Sequence, residues 1–67
     1  MKVTYKKLWK KMIDLEMSKT ALREKTGIST VTLAKLGKDQ IVSLEVLMKI
    51  CQALNCNIND ICDFVRI

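Results

Sequence analysis

Met17-Ser18-Lys19-Thr20-Ala21-Leu22-Arg23-Glu24-Lys25-Thr26-Gly27-Ile28-Ser29-Thr30-Val31-Thr32-Leu33-Ala34-Lys35-Leu36-Gly37 is the stretch whose reading decides the fold. Ser18 and Ser29 are both good helix N-caps, because a short side-chain oxygen accepts from a free N–H of the first turn. Gly27 stands where a left-handed glycine ends a helix. The stretch predicts a helix over about 19–26, packed through Ala21 and Leu22. A turn of about three residues follows, with the apolar Ile28 next to its glycine. A second helix then runs over about 30–37 and is closed by Gly37.

Outward from this pair, the rest of the chain also reads as helix. Thr4 is expected to cap a first helix over about 5–16, with Leu8, Met12 and Leu15 at helical spacing and Trp9 and Ile13 beside them. Lys6, Lys7, Lys10 and Lys11 cover its remaining surface. Lys38 to Val42 reads as a loop. Ser43 caps a fourth helix over about 44–54, striped by Leu44, Leu47, Ile50, Cys51 and Leu54. Asn57 caps a fifth over about 58–65, with Ile58, Ile61, Phe64 and Val65 apolar. The expectation is one all-α domain over residues 1–67, a compact bundle of five helices. Its 67 residues contain no proline and only two glycines, as suits helices joined by short turns. So small a fold needs very regular packing, a metal or disulfides.

The charge is uneven. Residues 1–40 hold ten basic and four acidic side chains, a balance of +6, and residues 41–67 hold two and three, a balance of −1. The positive half coincides with the decisive stretch, which points to an anionic partner. The chain has no histidine, so the commonest general base is missing, and it has no Gly-rich phosphate loop. Cys51, Cys56 and Cys62 fit no common zinc spacing. Cys51 reads as a small core residue, with a thiol switch at Cys56 or Cys62 as the alternative. No enzyme, cofactor or metal is therefore expected. An odd cysteine count and an N-terminus without an apolar leader predict a reducing cytoplasm. No apolar run is long enough to span a bilayer, so no membrane partner is expected.

Two short helices joined by a glycine-bearing turn form the arrangement of a helix-turn-helix, though a tight corner in a helical bundle uses the same text. The helix starts bear on the choice. A helix N-terminus is partly positive and favours acids in its first turn. Glu45 and Asp60 follow that rule. After Ser18 come Lys19, Thr20 and Ala21, and after Ser29 come Thr30, Val31 and Thr32, with no acid in either. One reading is ordinary surface lysine. The other is that a phosphate supplies the missing charge.

If Leu33 and Leu36 point inward, Val31 and Lys35 lie on the far face, flanked by Thr32 and Ala34, with Thr30 at the rim. Val31 is then either an incidental exposed residue or a contact for a thymine methyl. Lys35 suits guanine N7 or O6, or a phosphate. Thr30, Val31, Thr32 and Lys35 are the candidate base contacts. Ser18, Lys19, Thr20, Ser29 and Lys38 are the candidate phosphate contacts, with Lys6, Lys10, Arg23 and Lys25 as further backbone candidates.

From Tyr5 to Val65 the sequence resembles a Cro/CI-type helix-turn-helix domain of the lambda-repressor-like class. The resemblance rests on residues 17–33, with their polar helix start, buried Ala-Leu pair, glycine, aliphatic residue and serine. Ser43-Leu44-Glu45-Val46-Leu47 and Ile50-Cys51-Gln52-Ala53-Leu54-Asn55-Cys56 are similar to that family's fourth helix. The resemblance implies five helices, the third in the major groove of double-stranded DNA and the second across the backbone, and a homodimer on a near-palindromic site. It also implies base contacts at Thr30, Val31, Thr32 and Lys35 and a phosphate clamp at Lys19. The chain departs from the family at Ala34, where many members have serine. It departs again at Gly37-Lys38-Asp39, where they have an acidic residue, a basic residue and glycine.

The expected role is a transcriptional regulator, a repressor in preference to an activator, with no small-molecule ligand. The alternative is an antitoxin-like or anti-repressor module that uses this fold to bind a protein. The tail Phe64-Val65-Arg66-Ile67 suits either, by closing a homodimer or docking a partner, unless Phe64 packs on the first helix.

Overall fold

The computed structural model describes all residues, Met1–Ile67. In chain order they form β1 (Lys2–Thr4), α1 (Lys6–Asp14), α2 (Lys19–Thr26), α3 (Thr30–Gly37), α4 (Leu44–Leu54), a single 3₁₀ turn (Ile58–Asp60) and β2 (Asp63–Val65).

The serine caps form as the sequence predicts. Ser18, Ser29 and Ser43 all have extended backbone, and their hydroxyls accept from the N–H groups of Ala21 (3.0 Å), Thr32 (3.1 Å) and Val46 (3.2 Å). Gly27 ends α2 at φ +73°, its N–H donating to the Arg23 carbonyl at 2.8 Å.

α3 and α4 keep the expected bounds, but α1 and the turn after α3 differ from expectation. α1 is shorter than 5–16. Thr4 belongs to β1, and Tyr5 occupies the N-cap position without a side-chain cap bond. Gly37 does not close α3 but is its last helical residue. The chain reverses two residues later at Asp39, φ +53°. There the Gln40 N–H donates to the Lys35 carbonyl (2.9 Å) and the Asp39 N–H to that of Leu36 (3.3 Å). This is the six-to-one turn usually built on glycine. Aspartate tolerates the left-handed region better than most side chains.

The expected fifth helix does not form, so the fold is four helices with a two-stranded sheet. Asn57 and Asp60 make the capping box that a helix start requires, but the helix stops after one 3₁₀ turn. Residues 63–65 then pair antiparallel with the N-terminus, placing Lys2 opposite Val65, Val3 opposite Phe64 and Thr4 opposite Asp63. An eight-residue helix is marginal without packing. Phe64 and Val65 favour a strand once a partner strand is available. The Lys7 ammonium adds an ion pair with Asp63 at 3.1 Å.

Tyr5, Leu8, Leu22, Leu36, Ile50 and Ile61 are fully buried and draw together the four helices and the segment after the 3₁₀ turn. Val3, Met12, Ile28, Leu54 and Cys62 complete the core, and Trp9, Leu33, Leu47 and Cys51 pack against it half-buried. Ile13, Leu15 and Leu44 are exposed despite their place in the expected stripes. Phe64 does not pack on α1 and is 74% exposed, since no fifth helix turns that position inward.

Candidate nucleic-acid interface

The geometry of α2 and α3 follows from three buried side chains and one hydroxyl. Leu22 on α2, Ile28 in the turn and Leu36 on α3 all face the core. The Thr26 hydroxyl donates to the Leu22 carbonyl at 2.7 Å and accepts from the Ile28 N–H at 3.4 Å, which closes the turn from inside. With Leu36 turned inward, helical geometry puts the opposite face of α3 in solvent.

That face carries most of the residues expected there. Thr30, Val31, Ala34 and Lys35 are exposed, with Val31 at 65%. Thr32 is half-buried and partly committed: its hydroxyl lies 3.0 Å from that of Ser29, from which it accepts. Ser18 and Ser29 are exposed, but their oxygens serve as caps. Thr20 is exposed on the first turn of α2, and Lys38 is exposed just past α3.

The electrostatics are one-sided. The ion pairs are Lys7–Asp63 and Lys49–Glu45, and neither involves α2 or α3. Lys19, Arg23, Lys25, Lys35 and Lys38 therefore have no acidic partner. The first turns of α2 and α3 lack acids, as expected, but so does that of α1. Missing acid thus distinguishes the basic half of the domain as a whole, not α2 and α3 alone.

A residue of α1 also meets this face. The Lys19 ammonium sits 4.8 Å from the centroid of the Trp9 ring on α1, a cation–π contact. Helical spacing sets Trp9 only beside the apolar stripe of the first helix. Its meeting with Lys19 depends on how α1 and α2 pack, which no local pattern encodes.

The candidate partner-contact residues belong to β2 and the C-terminal tail. Phe64, Val65 and Ile67 are all exposed, Ile67 at 96%. Phe64 lines an open groove of about 470 Å³ with Met1, Lys2, Val3, Asp39, Gln40 and Ile41. Val65 and Ile67 are not among its walls. No helix is long and apolar enough to cross a membrane.

A capped helix, a glycine turn and a second helix with an exposed, acid-free first turn define a helix-turn-helix DNA-binding domain. Residues 7–66 match the model of the Cro/C1-type HTH DNA-binding domain, and the chain belongs to that family. It is also similar to a solved structure described as the transcriptional regulator VanUg, at 53% identity and a TM-score of 0.90, over 92% of this chain and 83% of that one. No curated protein matches the chain at a significant level.

Proposed function

We propose that this chain is a transcriptional regulator that binds double-stranded DNA sequence-specifically as a homodimer in the cytoplasm, repressing in preference to activating. The observation that carries the reading is the solvent face of α3, where Val31 and Lys35 stand exposed and without protein partners. The high identity to a solved transcriptional regulator supports it.

In this reading α3 enters the major groove. Val31 meets a thymine methyl, and Lys35 donates to guanine or to a phosphate at the groove edge. Thr30 contacts a base edge or phosphate at the rim, and Thr32 contributes through the proton its hydroxyl retains. α2 crosses the backbone, with Lys19, the first-turn amides behind Ser18, and Thr20 on one phosphate run. Ser29 and Lys38 bracket α3 in the same way. The exposed Phe64, Val65 and Ile67 provide the contact between two copies.

Selection of bound sequences from a random duplex pool tests the proposal. The expected result is a two-fold symmetric consensus whose affinity falls steeply with salt as phosphate contacts are screened. Recovery of no consensus, together with tight and salt-insensitive binding to a protein, would replace it with the protein-interaction reading. The exposed Phe64 and Ile67 would then dock that protein and not a second copy.

A further inference from the structure

Three of the four helices end in a six-to-one turn, in which the last turn of the helix and the residue five positions on are drawn together. In α1 the pair is Met12 and Met17 (N–H to carbonyl 2.8 Å), in α3 Lys35 and Gln40 (2.9 Å), and in α4 Cys51 and Cys56 (3.0 Å). The two side chains of such a pair commonly touch, usually as an apolar contact. Met12 and Met17 fit that role, one buried and the other half-buried against the core. At the end of α4 the same positions hold two free thiols, both half-buried.

We infer that Cys51 and Cys56 form a reversible dithiol–disulfide site at the C-terminal end of α4, with hydroperoxides as its oxidant. The backbone hydrogen bond from the Cys56 N–H to the Cys51 carbonyl brings the two residues together at the helix end, where a bond between their sulfurs closes a short loop. Partial exposure leaves both sulfurs within reach of a small peroxide. Cys62 has a different position: it is buried, and its thiol donates to the Ile58 carbonyl at 3.6 Å.

The two cysteines have different tasks. Burial pushes the Cys51 thiol up, and the neighbouring Cys56 sulfur pushes it further. Cys51 is thereby the weaker nucleophile of the pair, and Cys56 makes the first attack. The Cys56 sulfur takes the terminal oxygen of the peroxide, forming a sulfenic acid and releasing an alcohol, or water from hydrogen peroxide. Cys51 then attacks that sulfur, loses its proton and expels water. Altogether two thiols give up two protons and two electrons, and the peroxide O–O bond is reduced. A thiol reductant reverses the step by exchange. The bond would staple the end of α4 to the turn that leads into the 3₁₀ segment and β2.

The test needs no DNA, so its outcome is independent of the proposed function. Reduced protein is treated with hydrogen peroxide at pH 8, its remaining thiols are alkylated, and the chain is cleaved before each aspartate. Cys51 and Cys56 then share the peptide Asp39–Asn59, while Cys62 lies on another. The expected product is a monomer whose 39–59 peptide is unalkylated, two hydrogens lighter, and restored by a thiol reductant. Cys62→Ala should leave this product unchanged, and Cys56→Ala should abolish it. Alkylation of both cysteines in the 39–59 peptide would overturn the inference. So would a cross-link to Cys62, or a covalent dimer as the main product.

Discussion

The backbone N–H of Tyr5 donates to the Asp39 carboxylate at 3.1 Å, and Asp39 is the left-handed residue that turns the chain out of α3. The Tyr5 hydroxyl donates to the next carbonyl, that of Gln40, at 2.7 Å. One buried aromatic residue at the start of α1 therefore fixes the loop that leaves the exposed helix. Replacing Asp39 with alanine removes a charged acceptor and is expected to cost about 1.5–3 kcal/mol. Asp39→Asn keeps an acceptor and should cost less. Tyr5→Phe should cost about 0.5–1.5 kcal/mol. Urea unfolding measures all three, and an Asp39→Ala midpoint equal to that of the native chain would contradict the assignment.

The pH dependence on the alkaline side has a definite sign. Burial pushes up the Tyr5 phenol, and the Cys62 thiol beside it adds to the effect. Burial also raises the Cys51 and Cys62 thiols. The unfolded chain therefore releases these protons first. The stabilisation is complete below the ordinary thiol and phenol values of 9.0 and 10.0 and is lost as pH rises through the higher folded values. Melting temperatures between pH 8 and 11 should fall, and Tyr5→Phe should flatten the upper part of that fall. An unchanged slope in Tyr5→Phe would remove Tyr5 from this account.

A phosphate bound at the start of α2 would compete with the face of Trp9 for the Lys19 ammonium. The contact is worth about 0.5–1 kcal/mol when exposed, so a charge-assisted phosphate contact can replace it. Trp9 is the chain's one tryptophan, and its fluorescence should change when duplex DNA is added. Lys19→Ala should abolish that change, weaken binding to all sequences about equally and lower the salt slope by about 1. A Lys19→Ala effect confined to particular base pairs would place Lys19 on bases instead.

Val31→Ala and Lys35→Ala are expected to cost roughly 1–3 kcal/mol at particular base pairs of a selected site. Both side chains are exposed, so neither change should alter the fold. Binding measured against single-base variants separates the two effects. If Lys35→Ala leaves affinity and preference unchanged, α3 is not the reading helix.

Phe64→Ser tests the contact between copies. Phe64 is 74% exposed, so the change should leave the monomer's melting temperature within a few degrees. It should also reduce cooperative occupation of a two-fold site. Thermal melting and footprinting check the two, and an undiminished dimer on DNA would move the interface elsewhere.

Much of this architecture was legible because its causes are local. Ser18, Ser29, Ser43, Gly27 and Asn57 each act on backbone within four residues, so the starts of α2, α3, α4 and the 3₁₀ turn could be read off the chain. The exposed positions of α3 followed from one buried leucine and helical geometry. The last residue of α3 was legible, but the turn that follows it could not be read that way. Gly37 looked like its terminator, but the residue that takes the left-handed conformation is Asp39, whose carboxylate finds a donor 34 residues away on Tyr5.

The C-terminal segment marks the boundary most clearly. Ile58, Ile61, Phe64 and Val65 suit a helix and a short strand almost equally well. A helix supplies its own hydrogen bonds, but a strand requires another strand. For β2 that partner is Lys2–Thr4, at the opposite end of the chain. The sequence by itself determined the helix-turn-helix, its caps and its exposed basic face, because each depends on neighbours along the chain. Only the tertiary structure decided the sheet, the meeting of Lys19 with Trp9 and the anchoring of Asp39, because each joins groups that folding alone brings together.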